Sequence, residues 1–140
     1  MSETTICVLH VDDDPDLGEL VGTFLEREDD RISVHTATRA EEALSRLAEG
    51  GVDCVVSDYE MPGLNGIELL EAVRERRPDL PFVLYTGKGS EEVASEAISA
   101  GVTDYLQKES GTDQYAILAN RLVNAVERNR IEKQLREREK

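Results

Sequence analysis

Five residues of this chain carry side chains that could act together on a phosphate-like group: Asp12, Asp13, Asp58, Thr86 and Lys108. Each stands at or just beyond the end of a short apolar run. Ile6–Val11 (ICVLHV) leads into Asp12, Asp13 and Asp14, Val52–Ser57 into Asp58, and Thr103–Gln107 into Lys108, while Pro81–Thr86 ends on Thr86 itself. A further run, Ile32–Ala37, ends without an ionisable group. If the first and third runs lie side by side, three carboxylates converge. Packed alone they would repel, and at least one would tend to hold a proton. A hard cation resolves the conflict, because Mg²⁺ takes oxygen ligands and keeps waters that phosphate oxygens can replace. Lys108 adds a point charge and Thr86 a hydroxyl donor. The set suits a tetrahedral anion approaching one carboxylate or carried on it, and an aspartate can be the nucleophile that becomes an aspartyl phosphate. Singly, each of these is an ordinary turn, cap or surface residue. Only their joint placement carries the chemistry.

That placement requires the runs to be strands of one sheet. Short apolar runs bounded by turn residues read as strands buried on both faces. Helical patterns lie between them. Asp14 and Pro15 form an N-cap with proline at the first helical position, followed by Leu17, Leu20, Val21, Phe24 and Leu25 at helical spacing. Thr38 with Glu41 reads as a capping box opening a second helix with Ala40, Ala43, Leu44 and Leu47 on one stripe, stopped by Gly50-Gly51. Ile67, Leu69, Leu70 and Val73 mark a third helix before Arg77-Pro78. Ser90 reads as the N-cap of a fourth, with Val93, Ala94, Ala97 and Ile98, ending at Gly101. A last helix begins near Thr112 or Asp113. Five strands alternating with five helices through short connections predict an α/β fold, a parallel sheet with helices on both faces. In such sheets ligands bind beyond the carboxyl ends of the strands, where the five residues lie.

The order and content of these motifs resemble the response-regulator receiver domain of two-component signalling. The match runs over about residues 5–126: VDDD after the first strand, SDYEMPGLNGIELL after the third, LYTG at the end of the fourth and DYLQK at the fifth. The resemblance implies a flavodoxin-like, doubly wound (βα)5 sheet in the order 2-1-3-4-5. It implies that Asp58 is the phospho-acceptor and that Asp13 ligates Mg²⁺ directly. Asp12 would do so largely through water, with the main-chain carbonyl of Glu60 as a further ligand. Thr86 and the amides of Glu60 and Gly87 would hold phosphoryl oxygens, and Lys108 would pair with the phosphoryl group. Tyr105 matches an aromatic switch position that moves inward as Thr86 shifts. The implied phosphoryl donor is a histidine kinase or phosphotransfer protein, and the implied output a downstream protein or fused domain. Two departures stand out. The family usually has a cis proline after the strand-five lysine, whereas this chain has Lys108-Glu109, and a cis bond is costly without proline. Glu60 and Lys88 occupy positions that flank the incoming water in the family.

Composition narrows the rest. Net charge is −14, with 30 acidic and 16 basic residues, which argues against nucleic-acid or anionic-membrane partners for the body. Only Lys88, Lys108, Lys133 and Lys140 are lysines, and such an acidic, lysine-poor surface is a lever used by halophiles as well as a plain means of solubility. No apolar stretch is long enough to span a membrane, and no basic region precedes the first apolar run. Cys7 and Cys54 sit in apolar runs and read as core residues of a reducing, cytoplasmic compartment. His10 reads as a core histidine and His35 as a strand-surface residue. The tail ERNRIEKQLREREK carries six basic and four acidic residues, leaving −16 on the first 126. The expected domain is residues 1–126, with 127–140 extending the last helix. Its 28 residues would span about 42 Å, more than a domain of this size, about 35 Å across. That extension is either a solvated end or a connector or dimer helix; a homodimer could also form through the helix-four, strand-five, helix-five face. The expected function is a phosphorylation-dependent receiver rather than a conventional enzyme, with output by protein contact or by a domain beyond residue 140. The alternatives are a receiver module at the front of a larger sensor or hybrid kinase, and an aspartate-nucleophile phosphatase with Glu60 as proton donor.

Overall fold

The structure is a computed structural model that describes residues 5–87 and 90–138. Strands β1 (Ile6–Val11), β2 (Ile32–Ala37), β3 (Cys54–Ser57), β4 (Phe82–Thr86) and β5 (Asp104–Gln107) alternate with helices α1 (Pro15–Glu28), α2 (Ala40–Ala48), α3 (Gly66–Arg76), α4 (Glu91–Ser99) and α5 (Asp113–Arg138). The strands form one parallel sheet in the order β2-β1-β3-β4-β5, as the resemblance implied. Alternate residues of each strand feed two cores. Leu9, Val11, Val55, Phe82 and Leu84 pack toward α2, α3 and α4. Val8, Cys54, Val56, Val83 and Tyr85 pack toward α1 and α5. Both cysteines are free thiols.

Strands β3, β4 and β5 start later than the apolar pattern suggests, and for β3 and β5 the reason is shared: a side chain takes over the first rung of the ladder. Asp53 donates its N–H to the Cys7 carbonyl (2.8 Å) and accepts the Cys7 N–H on its carboxylate (2.7 Å), so β3 begins at Cys54. Thr103 donates its N–H to the Phe82 carbonyl (2.9 Å) and accepts the Phe82 N–H on its hydroxyl (3.0 Å), so β5 begins at Asp104. The cap of α2 also differs. Its N-cap is Arg39, which makes no side-chain cap. Thr38 instead donates its N–H and hydroxyl to Glu42 at 2.7 and 3.1 Å, so Glu41 is not its partner. The Asp14 and Ser90 caps form as expected, Asp14 accepting from the Asp16 and Leu17 amides and Ser90 from that of Val93.

Helix α5 runs unbroken to Arg138. Beyond residue 126 it is tied to the sheet's amino-terminal edge. Arg130 donates to the Thr5 carbonyl (2.7 Å) and lies 3.4 Å from Asp53, and Arg136 lies 2.9 Å from Asp79. Ile131 and Leu135 are exposed on this stretch. Among the described residues, no helix is long and apolar enough to cross a membrane.

Candidate phospho-acceptor site

The register of β1 against β3 builds the site. Val11 pairs with Ser57, so the next residues, Asp12 and Asp58, emerge side by side at the carboxyl edge. Main-chain bonds hold both ends: Asp12 N–H to the Ala37 carbonyl and Asp58 N–H to the Val11 carbonyl, each 3.0 Å. With Asp13 they form a cluster in which one carboxylate oxygen from each lies within 4.8 Å of the others. Asp12 is buried, Asp58 half-buried and Asp13 exposed, so the cluster grades from interior to solvent.

Lys108 reaches this cluster although glutamate follows it and no described peptide bond is cis. Its Nζ donates to Asp12 Oδ2 at 3.1 Å and to Asp58 Oδ2 at 3.3 Å. The remaining oxygens are also engaged. Asp12 Oδ1 accepts the Asp14 N–H at 2.9 Å, and Asp58 Oδ1 accepts the Tyr59 N–H at 2.7 Å. Among the described residues, Lys108 thus bridges two of the three clustered carboxylates. Such an excess of oxygen donors in a partly buried group fits a hard divalent cation. Thr86, at the end of β4, is buried, and its carbonyl accepts the Lys108 N–H at 2.9 Å. Asp13, Asp58, Glu60 and Asn65 line an open cleft of about 580 Å³ beside the cluster. Glu60 and Gly87 are exposed at the rims of the two adjoining loops. Lys88, the other residue expected at the entrance, lies outside the described residues.

Two other readings meet the structure here. His10 is a core histidine. It is buried, its Nδ1 has no hydrogen-bond partner, and burial above all pushes its imidazole down to about 4. It is therefore neutral near pH 7 and adds no charge beneath the cluster. Tyr105 packs against the α2, α3 and α4 core with its hydroxyl buried and unpartnered.

The sequence reading missed the residue that shapes the acceptor loop. A Cβ on Gly66 would stand 2.2 Å from the Asp58 carbonyl oxygen and 2.8 Å from Leu84 Cδ1. Gly66 also donates its N–H to the Tyr59 carbonyl at 2.8 Å. Only a residue without a side chain lets α3 start this close to Asp58. The available signal was a glycine at the first helical position directly after a competent cap, Asn65. Asn65 closes a full capping box with Glu68.

This sheet order, with an acidic cluster at its carboxyl edge, defines a doubly wound α/β fold whose candidate site lies where such sheets bind ligands. The model for the response regulator receiver domain matches residues 8–120, and the chain belongs to that family. It is 33% identical over 132 residues to the nitrogen assimilation regulatory protein NtrX of Azorhizobium caulinodans, covering 93% of this chain and 28% of that one. The chain thus spans less than a third of that relative's length. Among solved structures, a response regulator receiver domain protein from Clostridium thermocellum superposes with a TM-score of 0.80 at 26% identity, covering 90% of this chain and 98% of that one. The response regulator TrrA of Thermotoga maritima, solved in complex with Mg²⁺-BeF, gives a TM-score of 0.73 at 30% identity, covering 84% and 99%. Receiver domains are signalling modules of two-component systems rather than conventional enzymes.

Proposed function

We propose that this receiver takes a phosphoryl group from a histidine kinase or phosphotransfer protein onto Asp58 and passes the change to a protein-binding face. The observation that carries the reading is the convergence of Asp12, Asp13 and Asp58 at one edge of the sheet, with the Lys108 ammonium on Asp12 and Asp58. In the transfer, a carboxylate oxygen of Asp58 attacks phosphorus and forms the acyl phosphate. The P–N bond to the donor imidazole breaks, its electron pair stays on that nitrogen, and the imidazole takes up a proton. Asp12, Asp13, Asp58 and the Glu60 carbonyl would hold Mg²⁺. When bound, Mg²⁺ would neutralise charge and orient phosphoryl oxygens. Lys108 pairs with the incoming phosphoryl group, and the Thr86 hydroxyl and the Glu60 and Gly87 amides donate to its oxygens.

Tyr105 is the second element of the switch. Its unpartnered hydroxyl forgoes about 1–3 kcal/mol of hydrogen bonding, so a rotamer that returns it to water lies close in energy. A shift of Thr86 toward the phosphoryl group can then bias Tyr105 between two states. Residues 1–126 act as the receiver unit and 127–140 as a connector to a partner or fused domain.

The Mg²⁺-BeF group bound by TrrA gives a test. Beryllofluoride with Mg²⁺ should raise the melting temperature of the wild type and leave that of Asp58→Asn unchanged. Equal shifts in both proteins would refute Asp58 as the acceptor.

A further inference from the structure

Lys108 sits correctly without the proline that usually follows it, so other residues must shape its loop. The side chain of Gln114, in the first turn of α5, occupies that place. Its Oε1 accepts the Glu109 N–H at 3.0 Å and the Tyr85 hydroxyl. Its Nε2 donates to the Gly111 carbonyl at 2.7 Å and to the Glu109 carbonyl. A side-chain amide offers two acceptor sites and two N–H groups, and all four are used. The amide therefore has one orientation and binds both main-chain groups of the residue directly after Lys108. Gly111, at φ +86°, adopts the left-handed conformation that turns its carbonyl toward the amide.

Tyr85 completes the arrangement from below. It is 3% exposed on β4, one residue before Thr86, and the Lys108 Nζ lies 5.7 Å from its ring centroid. An ammonium over an aromatic face at that range is attracted to it. Burial raises the Tyr85 phenol above its ordinary value, so it stays a hydroxyl donor. The same ring that lies under the ammonium is thus pinned by its hydroxyl to the amide that holds the Lys108 loop.

We propose that Gln114, with Tyr85 as its anchor, is the positioning residue that aims Lys108 at Asp12 and Asp58. It takes the role that a proline lock would otherwise fill. The inference rests on the reading of Asp58 as phospho-acceptor and Lys108 as its phosphoryl partner. Neither Gln114 nor Tyr85 touches the reacting atoms. Their effect is on where Lys108 stands, so they act on transition-state charge rather than on donor binding.

The test uses the full chain, Mg²⁺ and acetyl phosphate. A carboxylate oxygen of Asp58 attacks phosphorus, and acetate leaves with the electron pair of its P–O bond. Gln114→Ala should slow the maximal labelling rate about ten-fold, with the half-saturating donor concentration changed less than about two-fold. Gln114→Glu keeps the size and acceptors but turns a carboxylate toward two carbonyls, and should slow labelling as much. Tyr85→Phe keeps the ring and should cost about three-fold. The decisive arm is the Lys108→Ala background, where Gln114→Ala should add less than about two-fold, because its effect passes through Lys108. A wild-type rate in both Gln114 variants overturns the proposal, and so does equal slowing with and without Lys108. If Gln114→Ala does not fold, Gln114→Glu and Tyr85→Phe are read against Lys108→Ala in the same cycle. Absence of label on wild-type Asp58, or a wild-type rate in Lys108→Ala, would instead refute the acceptor reading beneath it.

Discussion

The two edges of the sheet handle charge in opposite ways. At the amino-terminal edge three aspartates lie beside arginines: Asp29 with Arg31 at 2.8 Å, Asp53 with Arg130 at 3.4 Å, and Asp79 with Arg136 at 2.9 Å. These pairs are partly exposed, and Arg31 also lies 3.5 Å from Glu127. At the carboxyl edge Asp12, Asp13 and Asp58 cluster, Asp12 and Asp58 sharing Lys108 among the described residues, and Asp12 and Lys108 are largely withdrawn from water. Matched surface pairs contribute little, typically about 0–1 kcal/mol. An unmatched, convergent group costs stability and persists where a further positive charge or a chemical step uses it. The contrast separates charge that fastens the last helix from charge gathered at the proposed phospho-acceptor site.

The largest expected effect comes from filling the space beneath the acceptor. Gly66→Ala puts a methyl group against the Asp58 carbonyl, and should cost about 3 kcal/mol of stability as well as slow Asp58 labelling. Urea unfolding and peptide mapping check both. Next is Lys108→Ala, which leaves Asp12 and Asp58 facing each other. Metal-free protein should lose about 2 kcal/mol, between the values for buried and surface pairs. Millimolar Mg²⁺ should recover most of it, since a cation that binds only the folded state stabilises it. If Mg²⁺ gives Lys108→Ala no more than it gives the wild type, the excess of carboxylates is not a cation site. Asp13→Asn should then weaken the Mg²⁺-induced rise in melting temperature, with little effect on the metal-free protein because Asp13 is exposed.

At the other edge the effects should be small. Arg136→Ala should cost less than about 1 kcal/mol, shrink further in high salt and leave Asp58 labelling unchanged. Burial works against the Asp79 carboxylate, yet Arg136 and Lys133 hold its carboxyl below the ordinary value of 3.8. A depressed carboxyl contributes stability above its unfolded value and loses it as pH falls through the folded one. The gap between wild type and Arg136→Ala should therefore close in acid below about pH 4. A large loss of labelling in Arg136→Ala would erase the distinction between the edges.

Much of this was legible in the residues. Apolar runs with aspartates, threonine and lysine at their ends marked both the strands and the edge where a ligand belongs. Parallel register does the rest, because consecutive partners of Val11 and Ser57 must bring Asp12 and Asp58 together. Features that depend on side chains replacing main-chain bonds were not legible. Asp53 and Thr103 shorten strands in this way, Glu42 displaces Glu41 at the start of α2, and Gln114 braces a loop five residues away from its own main chain. No periodicity marks them, since each depends on where a distant backbone group points. Gly66 was readable only as an oddity, a glycine where a helix needs none, until the Asp58 carbonyl was seen against it.

The central claim is that Asp58 receives the phosphoryl group. The most direct measurement is peptide-mapped mass spectrometry after incubation with Mg²⁺ and acetyl phosphate. A single phosphoryl adduct on Asp58, lost on chelation of Mg²⁺ during the reaction and absent from Asp58→Asn, is the predicted result. An unmodified Asp58, or an adduct that persists in Asp58→Asn, would contradict it.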